Sequence, residues 1–353
     1  MNMEYITLTK GDPEFESYLL GTFSSHHRAL PVETYHARTS RERVTFRVVP
    51  LENLEIPPWW RIYFWSCRPD LLGLTLGPAV AAWLNHRASL AAWTMWPSWL
   101  ALAGVFFLHT AVFLINDVQD HIGGTDRLSR RRGSQVIQRG WVSAAAMRRW
   151  AGLNFILAVA FGVPAFLNAP VELAIVCVLA FLGLAAVVRN WGTRYGLCDL
   201  AIIFLFGPLL TMGVALASFG KTHMHDAALG VAFGASTLWV FQVRQFENLF
   251  RSHPSLFRTF LAYRDFDRAR WICVVEGILL LILFPLLGVV LRLPLLWLAL
   301  MPIISWPQML TISRLQRAAS PLSSNLVNSS RLALASQFAW TVWWVSGLGV
   351  EWL

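Results

Sequence analysis

The sequence has little charge. Only 14% of its residues are Asp, Glu, Lys or Arg, against 56% hydrophobic, and the mean hydropathy is +0.51, which excludes the ordinary soluble globular classes. Cysteine is sparse too. Cys67, Cys177, Cys198 and Cys273 show no CxxC spacing, which argues against a zinc site and against a disulfide framework, so buried thiols are expected. The first residues lack a charged start, an apolar stretch and a small-residue cleavage site in series, and so do not read as a signal peptide. Acidic residues are the scarcer sign, 20 against 29 basic. The excess arginine falls in short loops between apolar runs, so membrane topology accounts for the net charge of +9 and nucleic acid is not the expected partner.

Long apolar runs are what the chain does have. A helix crosses the hydrocarbon layer in roughly 20 residues, and runs of that order lie near 70–85, 97–116, 150–168, 171–188, 198–218, 225–243, 271–291, 293–312 and 332–350. The expected fold is therefore all-α, with nine transmembrane helices around a central cavity over residues 61–353. Residues 1–60 carry scattered charge without a long apolar run and read as a cytosolic N-terminal leader. Arginines concentrate in the second-to-third loop (Arg127, Arg130, Arg131, Arg132, Arg139, Arg148 and Arg149) and in the sixth-to-seventh loop (Arg244, Arg251, Arg258, Arg264, Arg268 and Arg270). The opposite loops offer only Arg87, Lys221 and Arg292, which places the N-terminus in the cytosol and the chain in the cytoplasmic membrane, multi-pass. Trp59, Trp60, Trp65, Trp93, Trp96, Trp99, Trp343, Trp344 and Trp352 cluster at span ends and read as an interfacial belt. Trp239 and Phe241 lie deeper and are candidates for lining a pocket.

The second run ends in Asn116-Asp117-Val118-Gln119-Asp120, so two carboxylates three residues apart leave the membrane on one helical face. Like charges placed together need a cation. Carboxylate oxygens suit Mg²⁺, which uses one or two protein carboxylates and completes its shell with water and substrate phosphate. Asp126 is placed to serve a second ion, and the arginines behind it to neutralise phosphate oxygens. By spacing alone a solvated, charged helix end remains an equal reading.

Asn116-Asp117-x-x-Asp120-x-x-x-Gly124-Thr125-Asp126 resembles the first aspartate-rich motif of the UbiA superfamily of intramembrane prenyltransferases, in particular its menaquinone-type, dihydroxynaphthoate-using branch. Arg68-Pro69, Gly133-Ser134-x-x-Ile137-x-x-Gly140, and Tyr195-Gly196-Leu197 leading to Phe204-Leu205-Phe206-Gly207-Pro208 resemble further segments of that branch, in order. The resemblance implies a helical bundle in which two aspartate-rich loops hold Mg²⁺ and a prenyl diphosphate. The diphosphate ionises, and an aromatic acceptor captures the allylic cation. Asp117 and Asp120 would hold metal, oriented by Asn116 and supported by Asp126, while Arg130, Arg139, Arg251 and Arg258 are candidate diphosphate contacts by loop and charge.

The second motif departs from the family. In Gln245-Phe246-Glu247-Asn248-Leu249-Phe250-Arg251-Ser252, Asn248 and Ser252 stand where the family places two aspartates, and Glu247 is the one nearby acid. Three readings stay open: Asn248 and Ser252 ligate metal through neutral oxygens in a prenyltransferase; the chain is a UbiA-type terpene cyclase that needs no acceptor; or it is a non-catalytic lipid-binding or assembly subunit. Among other polar candidates, His109 either faces the cavity or is a hydrogen-bonded core histidine. Asp199, near Tyr195, either positions an acceptor or caps a helix. Glu276 is a charge inside a span, a position that normally faces the bundle.

Overall fold

Part of the segment read as a leader forms a sheet. In the computed structural model, strands β1 (Glu4–Thr9), β2 (His27–Tyr35) and β3 (Arg43–Pro50) pair antiparallel in the order β1-β3-β2, with a register irregularity between Pro31 and Glu33. The structure describes residues 4–37, 39–86, 96–128, 133–190, 197–249, 261 and 264–350, except the side chains of residues 125, 128, 168, 185–190, 246–249, 349 and 350. Alternation explains the strand: Val44 and Phe46 point to one face of β3 and are fully buried. They pack on Phe15 and Leu19, four residues apart on helix α1 (Phe15–Leu20). Strands this short and this charged carry no long apolar signal, which is why the sequence reads as a leader.

Helices follow: α2 (Trp59–Ser66), α3 (Pro69–Asn85), α4 (Trp96–Ile122), α5 (Thr125–Leu128), α6 (Ala144–Ala165), α7 (Val171–Asn190), α8 (Leu197–Phe206), α9 (Pro208–Phe219), α10 (Met224–Leu249), α11 (Phe266–Val290), α12 (Leu295–Ala299), α13 (Met301–Ile304), α14 (Trp306–Arg317) and α15 (Ser329–Val350). Every apolar run of the sequence lies on one or more of them. Among the described residues, four helical stretches are long and apolar enough to cross a membrane, namely Trp96–Ile122, Leu197–Phe219, Met224–Gln245 and Phe266–Val290. The run at 293–312 is not one helix. Pro294, Pro302 and Pro307 each lack the N–H that helix continuation needs, and the chain restarts there as α12, α13 and α14.

The chain divides into two units, one holding the sheet, α2 and Phe107–Ala158, the other Asp70–Phe106 and most of the chain after Ala158. In the first unit, Leu114 and Val118 of α4 are fully buried against Ile62, Val136 and Met147. In the second, α8 breaks at Gly207, and α10 comes so close that a Cβ on Gly234 would meet the Ile203 carbonyl oxygen at 2.1 Å. The core there is aromatic: Phe284 stacks on Trp340 at 4.8 Å and meets Phe233 edge-on at 5.7 Å. Trp343 and Trp344 belong to this interior, 1% and 0% exposed, with the Trp343 indole N–H donating to the Trp297 carbonyl at 2.8 Å. The interfacial reading is wrong for these two. Trp59, Trp60, Trp65, Trp96 and Trp99 are exposed as an interfacial belt requires, and broad apolar faces of α6, α7 and α11 are exposed as well. The described cysteines are free thiols, buried except for the half-buried Cys177.

Candidate functional site

Because Leu114 and Val118 turn inward, the last two turns of α4 present Asn116, Asp117 and Asp120 around the adjoining faces. The Asn116 amide donates to Oδ2 of Asp120 at 3.1 Å, an i,i+4 contact that fixes the carboxylate's orientation. Asp117 is 2% exposed. Its Oδ2 accepts the backbone N–H of Ser134 at 3.0 Å, while its buried Oδ1 accepts no hydrogen bond and lies 3.8 Å from Nη1 of Arg68. Arg68 is itself buried and has φ +54, a left-handed conformation rare outside glycine. Pro69 after it disfavours the right-handed helical region for Arg68, so α2 ends and α3 begins there.

Gly133 gives the loop its shape. With φ +65 it turns the chain back over α4, and a Cβ there would stand 2.5 Å from Oδ2 of Asp126 and 3.2 Å from Oδ1 of Asp117. Two carboxylates nine positions apart in sequence thus converge on the space a methyl group would fill. Asp126 is held in place by its neighbour. Arg127 donates to the carbonyls of His121 at 2.8 Å and Ile122 at 3.0 Å, capping the C-terminus of α4, and forms a buried ion pair with Glu42 at 2.5 Å. Burial pulls the Arg127 guanidinium below its ordinary range, and Glu42 works against that shift. Nε2 of His121 lies 3.0 Å from the Leu19 carbonyl, a second tie between α4 and the N-terminal region.

The remaining sequence candidates are dispersed. Arg139 is exposed and lays its guanidinium over the Trp141 ring at 4.8 Å. His109 is buried with its ring 4.4 Å from Phe113 on the same helix. In the second unit, Asp199 lies in the first turn of α8. Trp239 is buried and donates to the Cys273 carbonyl at 2.8 Å, and Phe241 meets Phe206 edge-on at 5.6 Å. Glu247 and Asn248 are described only as backbone at the end of α10, and Arg130, Tyr195, Arg251, Ser252 and Arg258 lie outside the described residues. Among the described residues no group of three or more His, Cys, Asp or Glu is placed to hold a metal ion. Sequence reasoning missed Arg68, Glu42 and Arg127 as site-supporting residues. Only Arg68 carried a signal, as half of the Arg-Pro pair.

No family profile matches the sequence, and no curated protein matches it either. Solved structures do. One reported for digeranylgeranylglyceryl phosphate synthase in membranes is similar at a TM-score of 0.53 and 17% identity, over 82% of this chain and 98% of that one. A UbiA homolog from Archaeoglobus fulgidus bound to GPP and Mg²⁺ is similar at 0.51 and 13% identity, over 81% and 99%. The structure of a UbiA homolog from the same organism bound to DMAPP and Mg²⁺ gives 0.50 and 15%, over 79% and 99%. At these identities the likeness establishes architecture: the chain has the helical membrane-protein fold of the UbiA homologs.

Proposed function

We propose that the chain is a multi-pass intramembrane enzyme that ionises an isoprenoid diphosphate and transfers its prenyl group to an aromatic or other lipophilic acceptor. The observation that carries this reading is the convergence of Asp117 and Asp126 on Gly133, with Arg68 alongside, at the end of an apolar helix. Its support from outside the chain is that UbiA homologs of similar fold were solved with prenyl diphosphates and Mg²⁺.

The residues fit Mg²⁺. The buried Asp117 Oδ1 takes no hydrogen bond, and hard carboxylate oxygens in small number suit an ion that keeps water and substrate phosphate in its shell. Bound there, Mg²⁺ would offset the charge that develops on the leaving diphosphate. Asp117 and Asp120 would hold the metal, with Asn116 orienting Asp120 and Asp126 supporting a second ion, and the assignment of Asn248 and Ser252 as neutral-oxygen ligands rests on residue type alone. Arg68, Arg130, Arg139, Arg251 and Arg258 are assigned to the diphosphate. The allylic C–O bond breaks, the diphosphate leaves with the electron pair, and the acceptor bonds to the allylic carbon and releases its proton. Such chemistry needs a site that shields the cation from water, and His109, Tyr195, Asp199, Trp239, Phe241 and Glu247 are its candidate residues by type and sequence position alone.

In this reading residues 61–353 form nine spans in the cytoplasmic membrane, residues 1–60 are cytosolic, and both large arginine-rich loops face the cytosol. The menaquinone-type branch is the nearest resemblance. Asn248 and Ser252 in place of two aspartates favour, as a second reading, a cyclase that quenches the cation internally. Membranes containing the chain are incubated with Mg²⁺ and prenyl diphosphates of several lengths, with and without an acceptor. Prenylation only with acceptor supports the transferase. Cyclic products without one support the cyclase, and inertness in both supports a non-catalytic subunit.

A further inference from the structure

At one end of the second unit, three helix ends meet around a cavity of about 470 Å³. Asn85 closes α3, His223 and His225 flank Met224 at the start of α10, and Val290, Leu291 and Arg292 lie where α11 ends. No carboxylate is among these lining residues. The acid beside them, Asp226, is fully buried and already compensated: it accepts from Nδ2 of Asn85 at 3.0 Å and from the backbone N–H of His223 at 2.8 Å, and its Oδ2 lies 2.7 Å from Nε2 of His86. The His223 ring is held by stacking on His86 at 4.9 Å. The polar wall therefore offers N–H groups, from a guanidinium that is always charged and from two imidazoles that each carry at least one N–H. An anion with several acceptor oxygens fits it.

Arg292 stands where a side chain is strained. The N–H of Leu293 donates to the Gly288 carbonyl at 2.9 Å and that of Arg292 to the Val289 carbonyl at 3.1 Å, the paired bonds that end a helix on a left-handed residue, most often glycine. Arg292 has φ +57. Glycine would close the helix without that strain. What arginine adds is a guanidinium at the cavity.

The other wall is apolar. It continues a stripe of Val275, Leu279, Ile282, Leu286 and Val289, all exposed and at helical spacing on one face of α11, about 21 Å long. That helix is long and apolar enough to cross a membrane. A free anion uses only the polar wall, whereas a molecule with an anionic head and a hydrocarbon tail uses both. His225 is about 35 Å along α10 from Asn248, so the cavity is separate from the segment that resembles the second motif.

We infer that this cavity binds the phosphate of a phospholipid, held by Arg292, His223 and His225, with an acyl chain along the α11 stripe.

The full-length protein in detergent is titrated with dioleoylphosphatidylglycerol and, separately, with dioleoylglycerol, which has the same acyl chains and no phosphate. Bound lipid is counted by mass spectrometry of the intact protein. The expected result is saturable phosphatidylglycerol binding, with dioleoylglycerol at least tenfold weaker. In R292G the thermal midpoint is expected to equal or exceed that of wild type, because glycine relieves the strain at φ +57, while phosphatidylglycerol affinity falls about tenfold, the scale of one hydrogen bond to a charged group. R292K keeps the charge and retains part of the affinity. If R292G lowers the midpoint, H225A at an exposed position repeats the test, again with weaker phosphatidylglycerol binding expected. Equal binding of the two lipids, or phosphatidylglycerol affinity unchanged in the folded variants, overturns the site. Inorganic phosphate in molar excess is expected to leave the lipid bound; its displacing the lipid at equal concentration would reveal a free-anion site and overturn the lipid as occupant.

Discussion

Nη1 of Arg68 stands 3.8 Å from Oδ1 of Asp117, both side chains less than a tenth exposed, across 49 positions of sequence. Removing one partner of a buried pair leaves the other charge without compensation, at a cost of about 3–5 kcal/mol. R68M is therefore expected to lower the thermal midpoint in detergent, and R68K, which keeps charge but not the fork, to fall between it and wild type. The same thermal scans with added Mg²⁺ check the site: the ion raises the R68M midpoint by at least as much as that of wild type, since Asp117 then has no competing cation. An R68M midpoint equal to wild type contradicts the pairing.

Gly133 is the tightest point of the loop. A methyl group there would meet Asp126 Oδ2 at 2.5 Å, and φ +65 strains any other L residue. G133A is expected to cost about 1–3 kcal/mol of stability. It should also raise the Mg²⁺ concentration needed for half-maximal turnover, because the two carboxylates are pushed apart. A normal Mg²⁺ dependence in the folded variant would show that they do not act together.

Glu42 and Arg127 tie the sheet to the end of α4. E42Q keeps the shape and removes the charge, leaving Arg127 buried without its anion, again at about 3–5 kcal/mol. Differential scanning in detergent is expected to show a lower midpoint for E42Q and most of it restored in E42D. No change in E42Q contradicts the pair's contribution.

Gly234 tests the other unit by itself. A Cβ there would fall 2.1 Å from the Ile203 carbonyl, so G234A forces α8 and α10 apart and is expected to cost about 1–3 kcal/mol. Thermal unfolding of the variant shows the loss, whereas the same substitution at Gly152, where nothing lies within 4 Å of the added methyl, leaves the midpoint within about 1 kcal/mol of wild type.

What the sequence discloses is what is local. Asn116, Asp117 and Asp120 are within one helical turn, so their spacing alone sets them on adjoining faces, and each apolar run reports its own helix. Arg68 and Glu42 reach the acidic loop only through tertiary packing, 49 and 85 positions away from their partners Asp117 and Arg127, and no spacing encodes that. The sheet was hidden because Val44 and Phe46 alternate with Thr45 and Arg47 in strands too short to register as apolar. Trp343 and Trp344 were misplaced because a tryptophan near a span end reads the same whether it faces headgroups or the aromatic core around Phe284 and Trp340. The segment from Asn248 to Ser252 departs from the motif it resembles, and its chemistry rests on residue types alone.

The most direct measurement is prenyl diphosphate consumption by purified wild type, D117N and D120N, with and without Mg²⁺ and with and without acceptor. These substitutions keep shape and remove the charge that would hold the ion. The expected result is Mg²⁺-dependent turnover in wild type and a loss of about a hundredfold or more in each folded variant, the scale set by losing a group that stabilises developing charge. Turnover unchanged in both variants, or independent of Mg²⁺, contradicts the assignment of this loop as the diphosphate site.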